Sequence, residues 1–428
     1  MKKNNSDNKK RQNKRINKKV FLLTPMTFPV PAVSGGAVQT IISNLICVNE
    51  EYGNIRFMIS SPFDKRASKK KFIYSKVYYF KNGIEHSFKG AVLYFLWKSD
   101  CVIKKIKTKF RSGKDNKSEL VSMDFLMYQY CDIVKREKPD VIVLENIRQN
   151  QIKKYEPLKK YVGDNNIFYH VHWTHTASIT ERLVVPNSIS ISEYVKKEWI
   201  KEASDYGRNY VLYNCVDIEK FSSLNYDRIL ERKRIGINEN DIVVIFCGRF
   251  IPVKGISELL TAFEMINNPN IKLLLIGSAN YSLPNETEFS KGIVERAKRM
   301  NNVIYHGYVP NEEMPKYYAA SDIMAVPSVW EEGAGLVAIE GMASGLPLVI
   351  TQSGGMVEYV TDDCAIKLPI DSALSNNLAN SIVELSEKYD LREKMGKAGI
   401  KRAKQFSVEN YYKNFLKIIE DENCFASD

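Results

Sequence analysis

The chain has 428 residues, which is enough for two or three domains of roughly 150 residues each. Apolar residues make up 44% and charged residues 26%, and these ordinary values exclude wholesale disorder and collagen-like repeats. The formal net charge of +12 is unevenly spread: residues 1–230 hold 41 basic and 23 acidic residues, whereas residues 231–428 hold 21 and 27. We therefore expect the two halves to face different partners.

The first 19 residues carry nine Lys or Arg and one Asp, without an apolar run, so they do not read as a secretory signal peptide. Residues 1–18 are predicted to be a disordered basic tail, either solubilising or an arm for an anionic membrane or nucleic acid. No stretch reaches the ~18 apolar residues that cross a bilayer. The seven cysteines include no CxxC pair, which indicates a reduced, cytoplasmic setting.

Short apolar runs alternate with helical patterns through residues 19–216, as in a sheet of parallel strands buried on both faces. The predicted strands are Lys19–Pro25, Ile55–Ser60, Lys76–Phe80, Asp140–Leu144, Ile167–His172, Ser188–Ile191 and Tyr210–Tyr213. The predicted helices are Ala37–Val48, Glu119–Lys138 and Glu193–Glu202. This alternation predicts an α/β, doubly wound, Rossmann-like domain.

Residues 217–240 are polar and lack a strand pattern, which predicts an interdomain linker. A second βα series follows and predicts a second Rossmann-like domain over residues 241–404. Its predicted strands are Ile242–Cys247, Lys272–Ile276, Val303–Tyr305, Ile323–Val326 and Leu348–Ile350. Its predicted helices are Gly255–Ile266, Glu288–Met300, Glu312–Ala319 and Leu336–Ala343. The chain closes with helical patterns, the last within residues 405–428.

Glycines and cations follow two of the predicted strands, at the end where a doubly wound sheet binds ligands. Gly35 and Gly36 stand just before the first helix, where backbone amides can approach an anion. In the loop GRFIPVKG, Arg249 and Lys254 flank a turn that opens a helix. This arrangement suits a diphosphate, because Arg binds bidentately and Lys supplies a compact charge. A flexible turn and a surface cation pair are the alternative interpretations.

The strongest motif in the chain is EEGAGLVAIEGMA, in which Glu332 and Glu340 stand eight residues apart. Glu332 is expected in a loop and Glu340 about one turn into the next helix, which places both carboxylates on the same side of a cleft, ~10 Å apart. The amides of Gly335, Leu336 and Val337 precede the first helical hydrogen bonds. One carboxylate can then bind sugar hydroxyls and the other a ribose diol; two solvated acids at a helix start are the alternative.

The segment PSVWEEGAGLVAIEGMASGLPLVITQSGGMVEYV resembles the E-x7-E region of retaining, nucleotide-sugar-dependent glycosyltransferases of family 4. GRFIPVKGISELL resembles that family's diphosphate-binding loop. The resemblance covers most of residues 19–422, and it implies the GT-B fold: two Rossmann-like domains facing a cleft, with the last helix crossing back. The family's usual Pro-Phe-Gly is replaced here by the smaller Gly333-Ala334-Gly335, which defines the sugar pocket less sharply.

The resemblance also implies a role for each matched residue. Arg249 and Lys254 would bind the donor diphosphate and stabilise it as it leaves. Glu340 would hold the ribose hydroxyls, while His172 and Glu332 would be the catalytic residues beside the donor sugar. The other donor-binding residues that the resemblance implies are Gly35, Gly36, Tyr308, Val309, Gly335, Leu336 and Val337.

The resemblance implies a retaining glycosyltransferase that moves a hexose or N-acetylhexosamine from a nucleotide diphosphate sugar to a glycan or lipid-linked acceptor in cell-surface polysaccharide synthesis. Residues 19–216 would bind the acceptor and residues 241–404 the donor. No metal and no other cofactor is expected, because Arg249 and Lys254 can do the work that a metal ion does elsewhere. A nucleotide-sugar epimerase or hydrolase of the same fold, and a non-catalytic member of a glycan assembly complex, are the alternatives.

Three of the five histidines fall in the hexapeptide HVHWTH. On a strand His170 and His172 point to the same face, and such a pair can bind a metal ion. No nearby Asp supplies the usual further ligand, so a metal site is less favoured than an active-site role for His172 or a structural cluster.

The segment Phe88–Phe110 has aromatic residues near its start and lysines toward its end. This pattern suits a helix packed on the sheet with a solvated basic end, or a helix lying on an anionic membrane. Nucleic acid is not an expected partner, because the sequence lacks base-reading modules and aromatic stacking motifs. The expected location is the cytoplasm, with peripheral attachment to the inner face of the cell membrane as a further option.

Overall fold

The computed structural model describes residues 18–33, 35–97, 117–174, 176–202, 207–279 and 286–421. The basic tail up to residue 17 lies outside the described residues. So do His175 and the part of Phe88–Phe110 that follows residue 97.

Eight strands form the first sheet. They are β1 (Lys18–Leu23), β2 (Ile55–Pro62), β3 (Ser75–Lys81), β4 (Ile84–Glu85), β5 (Val141–Glu145), β6 (Ile167–Val171), β7 (Asn187–Ser190) and β8 (Asn209–Val211). Their order is β4-β3-β2-β1-β5-β6-β7-β8, and the recorded pairs are parallel except β3 with β4. Seven of them are the predicted strands with their ends shifted by up to two residues, and β4 was missed because it is only two residues long.

Helices cover both faces of this sheet. Their bounds are Ala37–Tyr52, 88–97, Lys117–Glu137, Lys159–Val162, Ile179–Val184 and Glu193–Ile200, with 3₁₀ turns at Ala67–Lys69, Gln149–Leu158 and Asp164–Asn166. Among the described residues, no helix combines the length and the apolar character that crossing a membrane requires.

Six parallel strands form the second sheet. They are β9 (Ile242–Cys247), β10 (Ile271–Ile276), β11 (Val303–Gly307), β12 (Ile323–Val326), β13 (Leu348–Thr351) and β14 (Ala365–Leu368), in the order β11-β10-β9-β12-β13-β14. The helices around it are Ile256–Met265, Glu288–Lys298, Met314–Ala319, Leu336–Ala343, Met356–Tyr359, Leu374–Glu387 and Tyr389–Ala403. A 3₁₀ turn, Pro252–Lys254, precedes the first of these helices.

Both sheets are covered on both faces, as the predicted apolar strands require. In β10, for example, Leu273, Leu274 and Leu275 are all fully buried, and alternate residues enter separate core clusters on the two faces. Each such side chain contributes about 1.5–3 kcal/mol of hydrophobic stabilisation. The prediction of two doubly wound domains is confirmed.

The segment predicted as the linker folds onto the second sheet. It contains the short helices Ile218–Phe221 and Arg228–Ile235 and the 3₁₀ turn Ser223–Asn225. The guanidinium groups of Arg228 and Arg232 bind the two carboxylate oxygens of Asp322 at 2.5 and 2.6 Å. Arg232 is buried, so this ion pair holds the segment against the residue that directly precedes β12.

The last helix, Val408–Glu420, crosses back to the first sheet, as predicted. Its buried side chains recur with helical spacing and pack into the core beneath the helix Ala37–Tyr52. Tyr412 stacks on Tyr52 with a ring-centroid distance of 5.5 Å, and its hydroxyl donates a hydrogen bond of 2.9 Å to Oδ1 of Asn49. A 3₁₀ turn, Lys404–Phe406, leads into this helix.

Candidate active site

A cavity of about 520 Å³ lies between the two sheets and is lined by residues of both. All of the predicted site residues line it: Gly35, Gly36, His172, Arg249, Lys254, Tyr308, Val309, Glu332, Gly335, Leu336, Val337 and Glu340. The fold thus brings together residues that are up to about 300 positions apart in the chain, at the carboxyl ends of the strands, where doubly wound domains bind ligands.

The loop after β9 brings two cations to the cavity. Arg249 is exposed, and Lys254 ends the 3₁₀ turn that precedes the helix Ile256–Met265. Gly255 adopts φ 67°, and a Cβ atom there would lie 1.8 Å from the carbonyl oxygen of Pro327. Only glycine therefore lets the lysine loop pass this closely over the end of β12.

Lys254 is paired with the first glutamate of the motif. Its Nζ lies 2.5 Å from Oε1 of Glu332, and the same oxygen accepts a hydrogen bond of 2.5 Å from the hydroxyl of Ser328. The backbone amide of Glu332 donates to Oγ of Ser353 at 3.0 Å. The Glu332 side chain is thus held in place before any ligand binds. A ligand phosphate at Lys254 would compete with this carboxylate.

Glu340 lies in the helix Leu336–Ala343 and is buried. The Tyr318 hydroxyl donates a hydrogen bond of 2.7 Å to its Oε2 and contacts Sγ of Cys247 at 2.8 Å. Burial raises the pKa of Glu340 to about 7, although Tyr318, Lys220 and Asn311 partly oppose that effect. Glu340 therefore ionises near neutral pH and can accept hydrogen bonds from ligand hydroxyls once it is charged.

Backbone amides at two helix starts also reach the cavity. In the second domain, the first backbone bonds of the motif helix are donated by Ala338 and Ile339 to the carbonyl of Gly335. Within the described part of the chain, the amides of Leu336 and Val337 have no recorded acceptor. In the first domain, Gly36 precedes the helix Ala37–Tyr52 with φ 99°. Both starts can bind an anion or a hydroxyl oxygen.

The Gly333-Ala334-Gly335 loop touches the opposite domain. The Ser192 hydroxyl donates a hydrogen bond of 2.8 Å to the carbonyl of Gly333, and a Cβ on Gly333 would lie 3.2 Å from Val195 and 3.3 Å from Ile191. The small residues that replace the family's usual Pro-Phe-Gly therefore allow close contact between the two walls of the cavity.

Sequence reasoning missed Glu145, the last residue of β5. The strand register places it beside His170, and both His170 Nδ1 and His172 Nε2 contact its Oε2, at 2.9 and 3.1 Å. The prediction considered only an Asp as a partner of the histidine pair, whereas the acidic partner is a Glu on the neighbouring strand. The three ligand atoms lie within 4.8 Å of one another, a spacing that also suits a metal ion.

Burial and charge set the ionisation of this cluster. Burial opposes ionisation of Glu145, but His170 and His172 outweigh it and hold the pKa of that carboxyl at about 2. Burial and the neighbouring His170 lower the pKa of His172 to about 4, with Glu145 only partly opposing. At neutral pH the cluster therefore contains a carboxylate beside a neutral His172.

The residues that line the cavity suit a ligand that carries both phosphate and hydroxyl groups. Two cations, two glutamates and two helix starts contribute to its wall. This combination matches a nucleoside diphosphate joined to a polar group such as a sugar.

Comparison with known families gives a match over the second domain. Residues 227–402 match the family described as "Glycosyl transferases group 1". The matched range contains Arg249, Lys254, Glu332 and Glu340. This part of the chain, less than half of its length, is therefore similar to that family.

Curated relatives are glycosyltransferases of several kinds. The D-inositol 3-phosphate glycosyltransferase of Segniliparus rotundus is 30% identical over 259 residues, which are 59% of this chain and 53% of that protein. The lipopolysaccharide 1,2-N-acetylglucosaminetransferase of Salmonella typhimurium is 26% identical over 273 residues, 61% of this chain and 68% of that protein. The match with the first of these thus spans about half of that relative's length.

Solved structures share the architecture of the whole chain. A glycosyltransferase from Rickettsia africae superposes with a TM-score of 0.72 at 16% identity, covering 96% of this chain and all of its own. Anabaena Alr3699/HepE, solved with UDP and glucose, superposes with a TM-score of 0.67 at 20% identity, covering 93% and 98%. The fold is GT-B, as the resemblance implied.

Proposed function

We propose that this chain is a retaining glycosyltransferase that moves a hexose or N-acetylhexosamine from a nucleotide diphosphate sugar to a glycan or lipid-linked acceptor in cell-surface polysaccharide synthesis. The observation that carries the proposal is the single cavity in which Arg249, Lys254, Glu332 and Glu340 meet His172 of the other domain. The match to the group 1 family and the lipopolysaccharide and inositol relatives support the same class of reaction.

In this proposal each wall acts on a different part of the reaction. Glu340 and the backbone near Val309 bind the nucleoside, while Arg249 and Lys254 stabilise the diphosphate as negative charge develops on it. Lys254 leaves Glu332 when the diphosphate binds, and the released carboxylate accepts hydrogen bonds from the donor sugar. His172 faces the sugar from the first domain. Alr3699/HepE, which has the same fold and was solved with UDP and glucose, supports a nucleotide as the ligand.

A panel of nucleotide sugars tests the donor assignment. Thermal shift with each compound identifies the donor, and the hit is then incubated with enzyme alone and with candidate glycan or lipid-linked acceptors. Product formed only with an acceptor supports transfer. Donor consumed at the same rate without acceptor supports the epimerase or hydrolase instead, and no shift with any donor supports a non-catalytic binding protein.

Retention is tested on the product of that reaction. The anomeric proton coupling of the new linkage, read by NMR against the donor's own anomer, is expected to show the same configuration. An inverted linkage would remove the family 4 assignment while leaving the transferase in place.

We also propose that transfer needs no metal ion, since Arg249 and Lys254 can neutralise the leaving diphosphate. Full activity after dialysis against EDTA is the expected result. A loss of activity that Mg²⁺ or Zn²⁺ restores would contradict this proposal and direct attention to the Glu145 cluster.

Membrane association is proposed for the first domain, with the protein on the inner face of the cell membrane. The helix 88–97 exposes Phe88, Val92, Phe95 and Leu96, and the lysine-rich sequence follows it. Sedimentation with anionic but not neutral vesicles is expected for the full chain. Weaker binding by Phe95→Ser and Leu96→Ser, with unchanged binding by the exposed control Leu224→Ser, would place the contact at this helix.

A further inference from the structure

A buried carboxylate stands directly behind the histidine of the cavity. Side chains of Glu145, His170 and His172 expose only 3%, 1% and 6% of their surface. The pairing of β5 with β6 sets Glu145 opposite His170, and the chain then turns out of the strand so that His172 reaches the same carboxylate oxygen. The rings of the two histidines lie 4.0 Å apart between centroids.

The protonation state of His172 follows from these contacts. An ionised carboxylate only accepts hydrogen bonds, so both histidine nitrogens that contact Oε2 of Glu145 must be donors. Nε2 of His172 therefore carries a proton. Because the ring is neutral near pH 7, its Nδ1 is unprotonated and is a hydrogen-bond acceptor.

His172 lines the cavity close to the motif loop. A Cβ on Gly333 would lie 3.5 Å from the His172 carbonyl oxygen, so the histidine lies across from the loop that holds Glu332. A sugar bound between the two walls offers hydroxyl donors. A neutral imidazole with an unprotonated Nδ1 can accept from one of them, whereas the opposite tautomer would present an N–H to the same hydroxyl.

We propose that Glu145 is a positioning residue that fixes His172 in the tautomer whose Nδ1 accepts a hydrogen bond from a hydroxyl of the bound sugar. This inference rests on the proposed function, because the sugar is the ligand of that reaction. His170 shares the carboxylate and limits its rotation. Glu145 does not touch the substrate; it acts through His172 alone.

The decisive substitution is Glu145→Leu, which keeps a side chain of similar size but removes the hydrogen-bond acceptor behind the two histidines. Without that acceptor nothing holds the proton on Nε2 of His172, so the tautomer protonated on Nδ1 becomes populated. We expect kcat to fall about 10–100-fold, the range found when the partners that orient metal-ligating histidines are removed, with the donor KM changed less than about threefold. Glu145→Gln keeps an acceptor oxygen and should recover part of kcat.

Imidazole ¹⁵N NMR gives a reading that does not depend on activity. Only five histidines are present, and a His172→Asn variant assigns the signal. In the wild-type protein Nε2 is expected to be the protonated nitrogen and Nδ1 the unprotonated one, and Glu145→Leu should shift the proton toward Nδ1. Glu85→Leu, at a second buried glutamate of the same domain that does not line the cavity, is the matched control and should change neither signal nor kcat.

The outcomes separate this inference from the proposed function. If the wild-type enzyme transfers sugar and Glu145→Leu retains both kcat and the tautomer, the positioning role is wrong and the function stands. If no donor binds or reacts, the proposed function is wrong, and so is the contact between His172 and a sugar. The NMR signals still decide whether Glu145 sets the tautomer of His172. A fall in kcat with an unchanged tautomer, or one matched by an equal loss of folded protein, also overturns the role.

Discussion

The two walls of the cavity differ in charge. The second domain supplies Arg249, Lys254, Glu332 and Glu340, whereas the lining residues described up to position 191 include no Lys, Arg, Asp or Glu. Yet the first 230 residues hold the surplus of basic residues, 41 against 23. Among the described residues of that half, Lys220 is the only Lys or Arg that lines the cavity, and Asp217 lines it too, so the surplus of positive charge lies outside it. The wall that the first domain contributes presents glycine amides, a threonine hydroxyl, asparagine amides and a neutral histidine.

The difference separates the wall that can recognise a ligand by charge from the wall that can recognise it only by neutral hydrogen bonds. Fixed ions suit the diphosphate, and neutral hydrogen-bonding groups suit the hydroxyls of an acceptor. We therefore divide the proposed acceptor side into two surfaces: a neutral wall that would face the reacting hydroxyl, and a basic exterior that would face an anionic membrane or carrier.

The largest effect is expected from Arg249→Ala, which removes a cation of the charged wall. Transfer should fall about 10²–10³-fold, because the developing charge on the diphosphate loses a fixed partner. The Tm of thermal unfolding should stay unchanged, since the Arg249 side chain is exposed. Arg299→Ala, at an exposed arginine of the same domain that pairs with Glu295, is the control. Equal activity of the two variants would contradict the assignment of the charged wall.

Donor affinity is expected to depend on pH through Glu340. With the pKa of Glu340 near 7, the charged fraction falls about tenfold between pH 8 and pH 6, and the donor Kd should rise by a similar factor. Over this range neither Glu145 nor His172 of the first domain changes its charge, because their pKa values lie at about 2 and about 4. Calorimetry at several pH values checks this, and the curve of Glu340→Gln should be flat. A slope that persists in the variant would assign the titration to another group.

A smaller effect on Tm and kcat/KM is expected from removing a hydrogen-bonded contact between the two walls. The Glu358 carboxylate accepts hydrogen bonds of 2.8 and 2.7 Å from the amides of Glu193 and Tyr194, at the start of a helix in the other domain. Glu358→Gln should lower Tm by ~2–6 °C and kcat/KM by about 3–10-fold, because the charged acceptor that joins the walls is lost. Glu384→Gln, which alters an exposed ion pair with Lys388 in a helix, is the control and should change neither Tm nor kcat/KM.

The smallest effect concerns stability alone. Burial raises the pKa of Glu340 from 4.5, its ordinary value in an unfolded chain, to about 7 in the folded protein. The contribution of its protonation to the free energy of unfolding is therefore fully present below pH 4.5 and is lost as pH rises through 7. Glu340→Gln should therefore exceed the wild type in Tm by ~2–5 °C at pH 8, with the gap closing toward pH 5. Calorimetric scans at both pH values measure it. A gap that does not vary with pH would show that Glu340 is not the titrating group.

The charged wall was readable from the sequence because its motif is local. Glu332 and Glu340 stand on one loop and the helix that follows it, and Arg249 and Lys254 share one loop. Their side-chain partners were not readable. The Lys254–Glu332 pair joins positions 78 apart, and the Tyr318 hydroxyl that meets Glu340 comes from 22 residues upstream.

The neutral wall was harder to predict because it depends on strand order. Glu145 and His170 are 25 residues apart and meet only because β5 and β6 are neighbours in the sheet. A signal was nevertheless present: Glu145 directly follows the predicted strand Asp140–Leu144. An acidic residue at the carboxyl end of a strand next to one that ends in histidines is the pattern to search for.

The chain crosses between the domains twice, and the two crossings lie side by side. Val216 pairs with Ser407 in a short parallel bridge, and its amide donates a hydrogen bond of 3.0 Å to the carbonyl of Phe406. Two adjacent tethers leave a rigid body fewer ways to move than one, since sliding and twisting would shear the bridge. A rotation about the line through the tethers would preserve the bridge, whereas it would break the hydrogen bond between Ser192 and Gly333.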